Sequence, residues 1–341
     1  MKKVLIVLFL LIVAGSFVAW HFYTRIFNPA TNFESDYVHL YIPTGSTFDD
    51  VLAIIEFDSI VADIDELRWV AEKKDYPNRV KAGRYRIEKG ESNSGIINLL
   101  RSGRQEAVTI TFPSVRTMDQ LAGKLAKNIE PDSAAILSLL TNPATAAQYG
   151  FDKQTFSAMF IPNSYNVYWN TSAEGVIERM ADEFKKFWND ERLTKARTLG
   201  LSQSEVVTLA SIVNAETAKR DEAPVVAGVY VNRIKQGIPL QADPTLIFAL
   251  GDFSITRVLD KHKEIESPYN TYKYAGLPPG PINLPDGGFI DAVLNYQKHD
   301  YIYFCAKADF SGYHNFSKTL RQHNAYANEY RRALNNRGIY R

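Results

Sequence analysis

Hydrophobic and polar positions divide this chain sharply. From Val4 to Trp20 no residue is charged. A helix over this stretch, borrowing Met1 to Tyr23, just crosses a hydrocarbon layer of about 30 Å at about 1.5 Å per residue. Lys2 and Lys3 before it predict a cytoplasmic N-terminus, and Trp20, Phe22 and Tyr23 suit the far interface. A cleaved signal peptide is the rival reading, with Ala14-Gly15-Ser16 as the small-residue site. Apolar residues continuing past that site favour an uncleaved, single-pass plasma (inner) membrane anchor. No Cys follows to carry a lipid, and both readings send the rest of the chain across the membrane into the periplasm.

Beyond a short polar link, Asn28 to Ser35, the periodicity alternates between strand and helix. Tyr37 to Ile42 alternates as a strand, and Ser46 or Thr47 can cap a helix whose buried face is Val51, Leu52, Ile54 and Ile55. A second helix runs through Asp65 to Ala71, a strand through Ala82 to Ile87, a helix through Gly95 to Leu100, and a strand from Ala107 to Phe112 that stops at Pro113. The stretch from Thr117 to Gly200 reads mostly helical, with a capping-box pattern at Thr117 to Gln120 and a helix opening at Ser172 to Gly175. Within it, Met159 to Trp169 reads as neither helix nor clean strand, either a packed loop or an aromatic groove wall. After Leu201 come two helices, a long irregular run from Pro239 to Gly288, a strand Tyr301 to Cys305, a turn Gly312 to Phe316 and an Arg-rich closing helix. The fold class predicted is α+β: an anchor at 1–25, a small α+β subdomain at 37–112, and a larger mixed α+β domain at 113–341. The last divides into a helical middle portion, 113–200, and a motif-bearing part, 201–341.

Composition narrows the function. The 341 residues carry 39 Lys and Arg against 38 Asp and Glu, and that near-neutral balance argues against a nucleic-acid partner. One cysteine, Cys305, excludes an internal disulfide and reads as a small buried packing residue. No H-E-x-x-H pairing, G-x-S-x-G elbow, Walker A loop or Rossmann glycine pattern is present, so neither a metal nor a cofactor is expected.

The chemistry points to the helix that Ser202-Gln-Ser-Glu205 opens as a capping box. On its wheel Val206, Leu209, Ala210, Ile212 and Val213 form an apolar arc, Thr208, Ser211, Ala215 and Lys219 fill the other side, and Glu216 falls inside the arc. Such a carboxyl is either paired, with Arg220 or Arg233, turned to the rim, or desolvated so that it keeps its proton and serves as a general acid. The wheel leaves all three open. Downstream, Gln241 to Thr245, Ser267 to Tyr272 and Gly276 to Asn283 supply neutral hydrogen-bonders, tyrosine rings and stiff turns, which suit a sugar chain. Asp243 before Pro244 and His314 in its Gly-Tyr-His-Asn-Phe segment read most simply as turn residues.

The series Leu209-Ala-Ser-Ile-Val-Asn-Ala-Glu-Thr217, Val231-Asn-Arg233, Leu240-Gln-Ala-Asp-Pro-Thr245, Tyr269-Asn-Thr-Tyr272 and Gly276-Leu-Pro-Pro-Gly-Pro-Ile282 resembles the endolytic murein transglycosylase (YceG-like) family. The likeness includes motif order, the His314-x-Phe316 segment and the N-terminal anchor. The resemblance implies a LysM-like subdomain at 37–112 and cleavage inside peptidoglycan glycan strands at the MurNAc-to-GlcNAc β-1,4 bond, leaving 1,6-anhydro ends. The family's catalytic acid matches Glu216; many relatives carry a further acid where Asn214 stands, and often one where Asn166 stands. Asp243, Tyr269, Asn270, Tyr272, Gln241 and Asn283 are the groove candidates. Cell-wall synthases are the implied partners, and a non-catalytic peptidoglycan-binding scaffold is the alternative function.

Overall fold

The computed structural model describes residues 2–338; Met1 and the last three residues of the expected 113–341 domain lie outside the described residues. By its own contacts the chain forms two units. Among the described residues the first comprises 2–110, 128–131 and 166–172, and the second 111–127, 132–165 and 173–338.

The first unit begins with α1 (Lys2–Phe27), a helix long and apolar enough to cross a membrane. Then follow β1 (Tyr37–Ile42), α2 (Phe48–Phe57), α3 (Ile64–Lys73), β2 (Gly83–Glu88) and α4 (Asn93–Ser102). β1 and β2 are antiparallel, in register from Tyr37 opposite Glu88 to Ile42 opposite Gly83. Their alternation buries Leu40, Ile42, Tyr85 and Ile87 against Val51 and Ile55 of α2, Leu67 and Val70 of α3, and Ile96 and Leu100 of α4. Of the two possible caps of α2, Thr47 takes the role, in a reciprocal box with Asp50. The link after α1 is not loose. Ala30 N donates to Glu91 O at 2.9 Å, Ala62 N to Ala30 O at 2.9 Å, and Asn32 N to Ile60 O at 2.9 Å. At the end of α1, Phe22 stacks on Trp69 at 5.3 Å, the Arg25 guanidinium lies 4.8 Å from the same indole, and Ile26 packs on the core.

The boundary between the units falls inside two paired strands, β3 (Val108–Phe112) and β4 (Asn163–Val167). β4 corrects the reading of Met159 to Trp169 as neither helix nor strand: Tyr165 and Val167 alternate inward as a strand requires, Phe160 and Ile161 are buried, and Asn163, Ser164, Asn166 and Tyr168 face outward. The proline at 162 hid the strand by sitting just before its first residue.

The second unit is mainly helical: α5 (Met118–Leu125), α6 (Ser133–Thr141), α7 (Pro143–Gln148), α8 (Ala173–Phe187), α9 (Asp190–Leu199), α10 (Gln203–Glu216), α11 (Ala223–Lys235), α12 (Asp243–Leu250) and α13 (Gly287–Leu294), then β5 (Tyr303–Ala306), β6 (His314–Ser317) and α14 (Leu320–Asn336). α10 is the central helix. It packs against α9, α11, α12 and α13, and every residue from Val206 to Val213 is buried. That corrects the two-sided wheel: Thr208 and Ser211 face protein because their hydroxyls are taken up by Ser204 O at 2.8 Å and Thr208 O at 2.7 Å.

Two further expectations change. The run from Pro239 contains the helix α12, with Pro244 in its first turn, where a missing N–H costs nothing. His314 to Phe316 is not a turn but strand β6, antiparallel to β5 with Ala306 opposite His314. Cys305 on β5 is half-buried, and its burial raises the thiol above its ordinary range.

Candidate active site

The Ser202–Glu205 capping box fixes where α10 starts, and Glu216 is its last residue before Thr217 swings to extended backbone. Pro224 opens α11, whose inward face presents Tyr230 to that end of α10. The Tyr230 hydroxyl donates to Glu216 Oε1 at 2.8 Å. Neither candidate ion pair forms. Arg220 forks onto Asp286 at 3.0 and 2.6 Å. Arg233, buried, donates to Pro239 O at 3.0 Å, Ile302 O at 2.7 Å and Gln241 Oε1 at 2.5 Å.

Without a cation, burial dominates the carboxyl. Removal from water lifts Glu216 from the ordinary 4.5 to about 7; the Tyr230 hydrogen bond pulls it down, and the charge of Asp243 pushes it further up. Burial likewise raises Tyr230 well above a normal phenol, so Tyr230 stays a donor at any working pH. Arg233 is shifted down by burial, yet an arginine remains charged and acts here as a structural fork.

Glu216, Tyr230, Arg233, Gln241, Asp243 and Tyr272 line one cavity of about 370 Å³, with Leu240, Tyr303, Phe304 and His323 completing its wall. Its tyrosines, amide and paired carboxyls fit a hydroxyl-rich ligand better than an apolar one. Among the described residues no His, Cys, Asp and Glu cluster could hold a metal ion.

This geometry coincides with a family likeness over most of the chain. The model of the YceG-like family matches residues 40–329. The chain belongs to the YceG-like family. It is similar to the endolytic murein transglycosylase of Bacillus subtilis strain 168, at 28% identity over 336 residues that cover 94% of this chain and 91% of that protein. It is also similar to the endolytic murein transglycosylase of Streptococcus pneumoniae D39, at 27% identity over 87% of this chain, though it spans only 59% of that protein. A crystal structure of a yceG-like protein from Listeria monocytogenes superposes with a TM-score of 0.56 at 26% identity, covering 86% of this chain and 99% of that one.

In this YceG-like chain the sequence candidates separate into three places. Gln241, Asp243 and Tyr272 share the cavity with Glu216. Asp243 is the first residue of α12, not a turn cap, and its Oδ1 accepts the Tyr272 hydroxyl at 2.5 Å. Tyr269 and Asn283 line a second cavity instead. Asn270 is fully buried. Its amide donates to Lys263 O at 2.8 Å and Ile265 O at 2.9 Å while its Oδ1 accepts Tyr272 N at 3.0 Å, so it holds the loop and presents nothing to a groove.

The spacing of the YceG-like motifs becomes intelligible through two buried threonines. Thr271 Oγ1 accepts Ala242 N at 3.1 Å and meets Thr245 Oγ1 at 2.9 Å, while Thr271 O accepts Gln241 N at 2.9 Å. These bonds fasten the Asp243 segment to the Tyr272 segment. They also hold Gln241 at φ +55°, a left-handed backbone that costs a non-glycine residue about 1 kcal/mol or more.

Tyr230, Tyr303, Phe304 and His323 were not visible as site residues in the sequence. Tyr230 carried one available signal, an aromatic on the helix already expected to pack beside α10; the other three reach the cavity by tertiary folding of β5 and α14. His314 supports the wall from behind. Its backbone N and Nδ1 contact the Glu222 carboxylate at 2.7 Å each, and its ring meets Phe304 edge-on, which in turn meets Tyr230 edge-on. Asn214 accepts from Ser114 Oγ at 3.2 Å, and Asn166 from Thr109 Oγ1 at 3.0 Å.

Proposed function

We propose that this chain is an endolytic peptidoglycan lytic transglycosylase that cleaves the MurNAc–GlcNAc β-1,4 bond within glycan strands and leaves 1,6-anhydroMurNAc ends. The observation that carries the reading is Glu216, a carboxyl desolvated to about 7 at the wall of a polar cavity, with a phenol and no cation for a partner. Such a group is protonated in a useful fraction of molecules near neutral pH, and its conjugate base is strong enough to take the proton back.

In the mechanism, protonated Glu216 donates to the departing glycosidic oxygen. The substrate's N-acetyl carbonyl stabilises the charge that develops at C1. Ionised Glu216 then takes the proton of the MurNAc 6-hydroxyl, which closes on C1. One carboxyl suffices because the substrate supplies the nucleophile, whereas a hydrolase ordinarily uses two. Asp243 stands nearby with Oδ1 committed to Tyr272, which favours an electrostatic and positioning role over that of a second acid. Tyr272 and Gln241 are the sugar-contacting groups of this cavity.

In the same reading α1 is a single-pass anchor with a cytoplasmic N-terminus, and the rest of the chain is periplasmic. The small unit is a LysM-like wall-facing subdomain, and the activity trims or terminates nascent strands beside cell-wall synthases. The test is digestion of purified glycan strands by the full chain in detergent. Anhydro ends, one water lighter than reducing ends, formed by the unmutated protein and lost by at least a thousandfold with Glu216→Gln are expected. Ends carrying the added water would overturn the account of the nucleophile, and intact strands in both digests would favour a binding scaffold.

A further inference from the structure

The second cavity, about 380 Å³, differs in chemistry from the one around Glu216. Arg116 and Lys153, both exposed, stand at its lining, and among the described residues neither has a carboxylate partner; the Arg116 guanidinium rests over the Phe253 ring at 5.1 Å. Among the described residues no acidic side chain lines it. Asp152, adjacent to Lys153, is occupied elsewhere, accepting from Gln154 N, Thr155 N and Thr155 Oγ1 at 2.9, 2.8 and 2.8 Å. Met118, Phe248 and Leu284 give the cavity apolar surface.

The cavity is built, not incidental. Gly280 packs so closely that an added Cβ would lie 2.1 Å from Gln154 O. Asn283, 9% exposed, donates to Ser211 O on α10 at 2.8 Å, and its Oδ1 finds no donor in the protein. α10 backs both cavities: Glu216 lies five positions beyond Ser211, about 8 Å of helix rise. α12 likewise carries Asp243 at one cavity and Phe248 at the other.

We propose that this second cavity is a subsite for a short peptide ending in a free carboxylate, the stem peptide that branches from the glycan; the proposal rests on the transglycosylase reading above. A carboxylate answers the two unpaired cations, and small alkyl side chains answer the apolar wall. Both cations are exposed and hydrated, so a ligand carboxylate gives them a charge partner that a neutral sugar cannot supply. The cavity around Glu216 makes the contrast, since its Arg233 is fully engaged within the protein.

The test titrates full-length protein in detergent micelles with the synthetic pentapeptide L-Ala-D-Glu-L-Lys-D-Ala-D-Ala and with its C-terminal amide, by calorimetry. Saturable binding is expected, weakened about tenfold by Arg116→Ala/Lys153→Ala and severalfold by amidation, the worth of two exposed ion pairs. No saturable binding, or equal binding by the double variant, overturns the proposal. Strands bearing stem peptides and strands stripped of them then separate the two readings. The unmutated protein is expected to show a lower KM on peptide-bearing strands, the double variant to lose that advantage, and both to cut stripped strands with the same kcat. If stripped strands are cut but the peptide does not bind, the subsite falls and the transglycosylase stands. If the peptide binds but no strand is cut, the subsite stands and the catalytic reading falls.

Discussion

Glu216→Gln should make the protein more stable in alkaline than in acidic buffer, relative to the unmutated chain. The amide keeps the shape of the carboxyl and can still accept the Tyr230 hydroxyl, but it cannot ionise. In the folded protein Glu216 titrates at about 7, against 4.5 for an ordinary glutamate. A raised folded value means that the native state resists ionisation. The penalty is absent below the unfolded value, grows as pH rises from 4.5 to about 7, and is complete above. That displacement corresponds to about 3 kcal/mol. For a unit of this size, about 3 kcal/mol is roughly 6 to 12 °C in Tm. The assay is thermal unfolding of both proteins at pH 4.5, 6 and 8, followed by tryptophan fluorescence. All other titrating groups are shared, so they cancel in the difference. A Tm gap in favour of the variant that widens from pH 4.5 to pH 8 is the expected result. A gap of equal size at all three values, or one widest in acid, would show that Glu216 is not held protonated by burial and would remove the basis for its role as a general acid.

Tyr230→Phe removes the one hydrogen bond that favours ionised Glu216, so the alkaline limb of the kcat/KM profile should move up by about one pH unit or more; a limb moving down would contradict the assignment. Arg233→Lys loses a fork that reaches two carbonyls and Gln241, and urea unfolding should register a loss of about 2–4 kcal/mol. Gly280→Ala forces a Cβ against Gln154 O, and a loss of about 1–3 kcal/mol with weakened peptide binding is expected, read by unfolding and calorimetry.

Local chemistry was the most legible part of this fold. The Ser202–Glu205 box and the β1 alternation place their elements to within a residue because each depends on neighbours in sequence. Glu216 stood out for the same reason, as a carboxyl on a helix rich in apolar residues. Its state did not. Whether it pairs with Arg220 or Arg233 is decided by Asp286, Ile302 and Gln241, residues brought in by distant segments. The buried circumference of α10 was hidden because Thr208 and Ser211 are polar to a wheel but satisfied within the fold. The six groove candidates share one composition, and only tertiary structure separates Tyr272 in the Glu216 cavity from Tyr269 beside Arg116 and from Asn270 beneath the surface.

The residues after α1 read as a short polar link, yet they are stitched to the small unit at Ala30 and Asn32, and Phe22 and Arg25 clasp Trp69 from the helix itself. What looks like a tether is a weld. A rod welded to its load transmits torque: any rotation of α1 about its own axis turns the small unit by the same angle. A partner helix pairing with α1 would therefore choose the compass bearing of the small unit as well as its company.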